Sequence, residues 1–392
     1  MKKLIILILF FMSLTGCSNW RLSQSEQDQC IPPSESFVYI AYPNPEEEKR
    51  MQVPPNWEVE REIDTTLVMS RNNAHDVELW FVDIQTPNPG FWVYNPASKQ
   101  EEKISGEIEN SGVYVREIYT DSNDVVWGRT EYDNANIKEE NQLVPILSKL
   151  NEDSLTFEFV EKTKSIPYTV FDDDLSHPMY WTSMIIDQHD KIWFFVPNDS
   201  VYVYDPIDDT LNKNAILKEL IPSQLSLAPD GNIYFTEISS KKGNVGLSLS
   251  SDTHVYKFDV QSQRIEQISV RLDPWPPYSH ILVDHEGKIW LDALGFINEE
   301  GILYQLEKSP IFLIPVFFSG MDYRWTTPEI FMESSDGRLW FRSYNGIAWL
   351  DMDDQQWCWL TTSRFNVIED ANHNLWTTAY GKLYKRSIAP EF

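Results

Sequence analysis

Side chains able to do chemistry are plentiful in this chain, but few of them are spaced to act together. Of the seven histidines, His189, His285 and His373 sit inside acidic turn sequences such as Asp284-His285-Glu286-Gly287. There an imidazole is a solvated turn residue rather than a ligand. His75 lies in a loop, and His177 and His254 have no chemical neighbour in sequence. His280, in Ser279-His280-Ile281-Leu282, opens a strand-like run and could serve as base or ligand if the fold brought it an acid, Glu237 from the neighbouring unit. Zinc-ligand spacing, a Gly-x-Ser-x-Gly elbow and a phosphate-cradling glycine loop are all missing, so the sequence suggests no metal and no cofactor. Asp172-Asp173-Asp174 offers hard oxygen donors without the ligand rhythm of a calcium loop and reads as a solvated acidic loop.

A second set is built for recognition rather than bond-making. Trp181, Trp275, Tyr278, His280, Tyr323, Arg324, Trp325, Arg342 and Tyr344 fall in or beside long insertions between strand-like runs. Exposed rings and arginines are the residue types that anchor binding, and loops over a rigid scaffold are where function concentrates. The ligand would be a small molecule or a protein. With 60 Asp plus Glu against 32 Lys plus Arg, a formal charge of -28, the chain repels phosphate backbones, and nucleic acid is excluded as a partner.

What positions these residues is an internal repeat. The 392 residues are too many for one ordinary core, and 42% hydrophobic with 14% aromatic residues are too apolar for disorder. An apolar stretch, an acidic or Asn/Gly turn, an aliphatic residue and a ring recur with the rings at 80, 127, 193, 234, 290, 340 and 376. Examples are Asp187-Gln188-His189-Asp190-Lys191-Ile192-Trp193-Phe194 and Ser335-Asp336-Gly337-Arg338-Leu339-Trp340-Phe341. Asp, Asn and Gly accept tight hairpin turns, and alternating apolar residues on either side give strands with a buried face. Each interval holds about one four-stranded blade. The expected fold is all-β, a seven-bladed β-propeller of four-stranded antiparallel blades. The seventh unit ends too early for its own outer strand, and Phe37 to Tyr42 near the N-terminus is the expected closing strand.

In such a ring the A–B and C–D turns emerge on one face, and the B–C and D–A links on the other. The first collects Asp187, Asp190, Asp205, Asp208, Asp209, Asp284, Glu286, Asp336, Asp351, Asp353, Asp354 and Asp370 and should be strongly negative. The second receives the long insertions and the recognition residues around a central funnel. Trp80, Trp127, Trp193, Trp290, Trp340 and Trp376 belong between blades.

The phrase Asp-x-x-Gly-x-(Ile/Leu)-Trp-Phe resembles the repeat of two-component-regulator propellers and is similar to that of the streptogramin B lyases. The lyase resemblance implies metal-assisted elimination by a His opening an inner strand and a Glu just beyond the second strand of the same blade. Here Tyr234-Phe235-Thr236-Glu237 has the Glu while its inner strand, Leu225 to Ala228, has no His; the blade of His280 has Asp292 and no Glu. Ligand or partner binding, in sensing or scaffolding, is therefore the favoured reading, with a lyase or hydrolase acting in the funnel as the alternative.

At the N-terminus, Lys2 and Lys3, an apolar run from Leu4 to Met12, and Leu14-Thr15-Gly16-Cys17 resemble the export signal and lipobox of bacterial lipoproteins. The resemblance implies cleavage after residue 16 and acylation of Cys17, palmitate among the chains, so that residues 17–35 form a lipidated tether and 36–392 the propeller. The protein would be held to the cell envelope outside the cytoplasm; Ser18 in place of Asp would favour the outer membrane in a Gram-negative host. Cys30 and Cys358 remain, and in an oxidising compartment they could pair. The sequence leaves that open.

Overall fold

A computed structural model describes Gln29–Cys30, Phe37–Ile40 and most of 57–388; outside the described residues are 1–28, 31–36, 41–56, 389–392 and the connecting segments 83–89, 133–144, 167–182, 238–252, 273–279, 298–302, 317–321, 344–345, 353–355 and 362–366, with several shorter ones. Seven antiparallel sheets, each built on four strands, form the blades of a propeller. Their first strands, which line the central channel, are Thr66–Asn73, Val113–Thr120, Ser183–Ile186, Pro222–Leu227, Ile281–Val283, Glu329–Glu333 and Val367–Glu369, for blades 1 to 7 in order.

Closure is by an N-terminal strand, but not the expected one. Blade 7 supplies Val367–Glu369, Asn374–Ala379 and Lys382–Ser387, and its outer strand is Glu58–Glu62, with Glu58 opposite Lys385 and Glu62 opposite Lys382. Phe37–Ile40 instead runs parallel to Ser309–Val316, in a separate three-stranded sheet with Asp322–Thr326. The division follows polarity. Glu58-Val59-Glu60-Arg61-Glu62 is a charged strand suited to an exposed outer edge, whereas Phe37-Val38-Tyr39-Ile40 is apolar and runs beside Ser309-Pro310-Ile311-Phe312 at the start of an apolar strand. Further upstream, Gln29–Cys30 adds a fifth strand to blade 6, placing Cys30 opposite Cys358 in the disulfide Cys30–Cys358, Cα to Cα 3.9 Å.

The repeated phrase has a definite physical basis. In blade 3, Asp187 Oδ1 accepts the backbone N–H of His189 at 2.8 Å and of Lys191 at 3.0 Å, and its Oδ2 accepts the indole N–H of Trp193 at 2.7 Å. Asp121 with Trp127, Asp284 with Trp290 and Asp370 with Trp376 repeat the pattern, the acid always six residues before the ring. Blade 6 substitutes Ser334, whose Oγ accepts from Trp340. Blade 4 has Ala228 at that place and a ring, Tyr234, with no indole N–H to satisfy. Each ring then packs on the following blade, Trp127 against Met184 and Tyr204, and Trp193 against Phe235 and Phe258.

This changes the reading of the acidic face. Asp187, Asp284 and Asp370 are only 4–5% exposed and are spent inside their own turns. Asp205 is paired with Lys191, Asp209 with Lys162, Glu286 with Lys288, and Asp336 and Asp351 with Arg338. Others join neighbouring blades. Asp190 accepts from Ser122 and Asn123, Glu333 faces His285, and Glu369 meets Ser335 and His373. Much of the expected surface charge is thus structural, and His285 and His373 are inter-blade contacts rather than purely solvated turn residues.

Candidate functional site at the channel mouth

Counting from the blade ring locates a polar layer. In blade 6, Arg342 stands two residues after Trp340 and pairs across the sheet with Glu329; in blade 2, Arg129 stands two after Trp127 and pairs with Glu117. In blade 5 the same place is held by Asp292, two after Trp290, whose backbone N–H donates to the His280 carbonyl at 3.2 Å. Because first strands run from the link face toward the turn face, Glu329 and His280 lie at the end of the channel where the long links emerge. Thr236 holds the place in blade 4, opposite an irregular stretch that contains Gln224.

These side chains form one chain of contacts across blades 5 and 6. Asp292 Oδ1 accepts the His280 backbone N–H at 2.9 Å and lies 3.5 Å from its Nδ1. His280 Nε2 is 3.3 Å from Glu329 Oε2, and Arg342 Nε is 3.6 Å from the same oxygen. The two terminal guanidinium nitrogens of Arg342 make no hydrogen bond among the described residues, and the guanidinium lies 6.0 Å from the Phe331 ring centre. On the far side of the channel Arg129 grips Glu117 with two bonds of 2.9 Å, and the Tyr119 hydroxyl donates to Glu117 at 2.7 Å.

Burial separates scaffold from accessible groups. Asp292 and Arg129 are 2% and 5% exposed, whereas Arg342, Glu329 and Glu117 are 36%, 43% and 49% exposed. Burial pushes the Asp292 carboxyl up, and Glu329 adds to this, against His280, which favours the charged form. Burial acts to raise Glu117 as well, but Arg129, the Tyr119 hydroxyl and Arg342 outweigh it and hold the carboxyl below its usual range. Arg342, on blade 6, acts on Glu117 of blade 2 through its charge alone and less than Arg129 or Tyr119. Burial, reinforced by Glu117, drives the Tyr119 hydroxyl well above its ordinary value.

Of the recognition residues read from sequence, the structure joins His280 and Arg342 through Glu329. Tyr323, Arg324 and Trp325 form part of Asp322–Thr326, opposite Pro315, Ile314 and Leu313 in the separate sheet, where a connecting loop was expected. Trp181, Trp275, Tyr278 and Tyr344 lie outside the described residues, as do Cys17 and Asp172 to Asp174. The side chain of Glu237 is likewise not described; the acids that meet His280 are Asp292 and Glu329. Glu117, Arg129 and Glu329 were not singled out from sequence, although the position two after each ring would have flagged Arg129. No group of three His, Cys, Asp or Glu able to hold a metal occurs among the described residues.

No family model matches the chain, and no curated protein matches it in sequence. Among solved structures it is similar to virginiamycin B lyase from Staphylococcus aureus, with 13% identity and a TM-score of 0.51 over 85% of this chain and 100% of that one. YCF48 bound to D1 peptide is similar at 12% identity and a TM-score of 0.50, over 86% of this chain and 97% of that one. The extracellular domain assigned to a hybrid two-component system of B. thetaiotaomicron aligns at 12% identity and a TM-score of 0.37, over 81% and 45%. The likeness is one of fold. The propeller that the repeat implied is the architecture this chain has.

Proposed function

We propose that the protein is an extracytoplasmic, lipid-anchored propeller that binds a small molecule or a partner protein at the channel mouth. The observation that carries this reading is Arg342, a part-exposed guanidinium whose terminal nitrogens make no hydrogen bond among the described residues, with its Nε 3.6 Å from Glu329 and its charge felt at Glu117 of blade 2. Its counterpart Arg129 is buried and doubly bonded. A scaffold needs the second kind of arginine, and a recognition site uses the first. The insertions carrying Trp181, Trp275, Tyr278 and Tyr344 emerge on the same face in chain order and would add rings around the mouth. The Cys30–Cys358 disulfide suits an oxidising compartment, in keeping with the lipobox-like Leu14-Thr15-Gly16-Cys17. Acylation of Cys17 would bury roughly 0.8 kcal/mol per methylene in the bilayer and hold the ring at the surface.

One observation favours catalysis as the second reading. Buried Asp292 lies 3.5 Å from His280 Nδ1 and Glu329 lies 3.3 Å from Nε2, so two acids flank an imidazole of the type that carries protons in a funnel lyase or hydrolase, although Nδ1 makes no hydrogen bond among the described residues. Binding is tested with residues 18–392, which cannot be acylated at Cys17. This form is incubated with fractions of envelope extract, and thermal stabilisation is compared with that of Arg342→Ala. Stabilisation lost in the variant supports binding at the mouth. Turnover of an extract component that stops in His280→Gln and persists in Arg342→Ala favours the second reading.

A further inference from the structure

The row that begins at each blade ring runs outward through the third strand to the fourth. In five blades the third-strand residue beside the ring is long: Lys149, Lys257, Phe296, Trp349 and Lys385. The lysines lie over their rings, at 5.5 Å from Trp127, 5.7 Å from Tyr234 and 5.3 Å from Trp376. Blade 3 breaks the pattern, because Trp193 is followed by Val203 and then Asn212. Blade 1 also has valine, Val93, but ends its row on the longer Glu102. The short row of blade 3 leaves a groove of about 430 Å3 against the C–D turn of blade 4, with Val260 and Gln263 on the far wall.

Its lining is polar and locally neutralised. Lys191 is paired with Asp205 at 3.1 Å and Lys213 with Asp199 at 2.7 Å, while the Asp187 carboxylate is taken up by its turn and the Trp193 indole. What remains is the His189 imidazole and three amides, Asn212, Asn214 and Gln263, with the Asn214 Nδ2 buried and without a hydrogen-bond partner among the described residues. Each amide offers donor and acceptor side by side, which matches vicinal hydroxyls, and the three amides carry no formal charge to hold an ion. Trp193 and Val203 give an apolar floor for the C–H face of a ring. The volume lies within the roughly 300–1,000 Å3 of small-molecule sites.

From this we infer that the groove between blades 3 and 4 is a binding site for a neutral polyhydroxyl ligand of the saccharide class, independent of the channel mouth. The ligand is either a free sugar or a unit of an envelope glycan. The test is calorimetric titration and saturation-transfer NMR of residues 18–392 with glucose, galactose and N-acetylglucosamine, and with maltotriose and chitotriose, each to about 50 mM. Saturable binding is expected for at least one probe. A trisaccharide at least about tenfold tighter than its monomer points to a glycan, and equal affinities to a free sugar. Val203→Lys, which restores the residue type of blades 2, 4 and 7, is expected to keep the unfolding midpoint and weaken binding at least about tenfold. Asn212→Ala is the second variant, with the same expected loss and less risk to packing. Absence of saturable binding to every probe, or binding unchanged in both folded variants, overturns the inference.

Discussion

Trp193 and Asp187 are joined by an indole N–H donated to a carboxylate oxygen at 2.7 Å, while the other oxygen of Asp187 closes the turn that delivers the ring. One acid therefore sets the turn and fixes the ring that packs the next blade. Replacing Asp187 or Asp284 by alanine strands buried donors and should lower stability by about 2–3 kcal/mol, read as a fall in urea midpoint. A loss no larger than that of an exposed Glu286→Ala control would show that the carboxylate is incidental.

Blade 1 supplies the converse experiment. The place six before Trp80 is Ala74, and the buried Trp80 Nε1 has no hydrogen-bond partner among the described residues. Ala74→Asp should raise stability by about 1 kcal/mol if it forms the bond seen in four other blades. An unchanged or lower midpoint would mean that this turn cannot present the carboxylate.

The disulfide fastens the N-terminal segment to blade 6, while Glu58–Glu62 closes blade 7. Cys358→Ser should lower stability by about 2–4 kcal/mol with strand content intact. The measurement is chemical unfolding monitored by circular dichroism, with and without reductant. Wild type in reductant should match the variant.

Several tyrosines hold their protons more tightly in the fold. Tyr119 lies well above its ordinary value, chiefly through burial and then Glu117, and burial with Asp209 pushes Tyr204 up to about 12. A raised value contributes stability that is complete below the unfolded value of about 10 and is lost as pH rises through the folded values. The unfolding free energy should therefore fall between about pH 10 and 12, with phenolate absorbance lagging that of the denatured chain. Glu117 works in the opposite sense. Its lowered value contributes stability present above its unfolded value and lost as pH falls. Glu117→Gln should flatten the acid limb.

Asp292 combines burial, a raised carboxyl and a φ of 48°. Asparagine tolerates that backbone and keeps an acceptor for the His280 N–H. Asp292→Asn should be as stable as wild type at neutral pH or up to about 1 kcal/mol more stable, read as the urea midpoint. A destabilisation above about 2 kcal/mol would make the pair structural rather than a tuned group at the mouth.

The blades were legible because Asp and Trp at a fixed spacing reflect a local constraint, a turn and the ring it carries. The closing strand was misplaced because apolar alternation marks any buried strand, whereas an outer edge selects charge, as in Glu58 to Glu62. His280 and Arg342 were legible by type and position. Their meeting at Glu329 was not, because it depends on how blade 5 abuts blade 6. The acids of the turn face were overcounted as free charge, since sequence does not reveal that Asp187, Asp284 and Asp370 point inward.

The most direct test of a binding mouth is the thermal shift of residues 18–392 with fractionated envelope extract, run in parallel on Arg342→Ala and on Arg129→Lys as an arginine variant buried in the opposite wall. A fraction that stabilises wild type and Arg129→Lys but not Arg342→Ala is the predicted result. Equal stabilisation of wild type and Arg342→Ala by every active fraction would contradict the account.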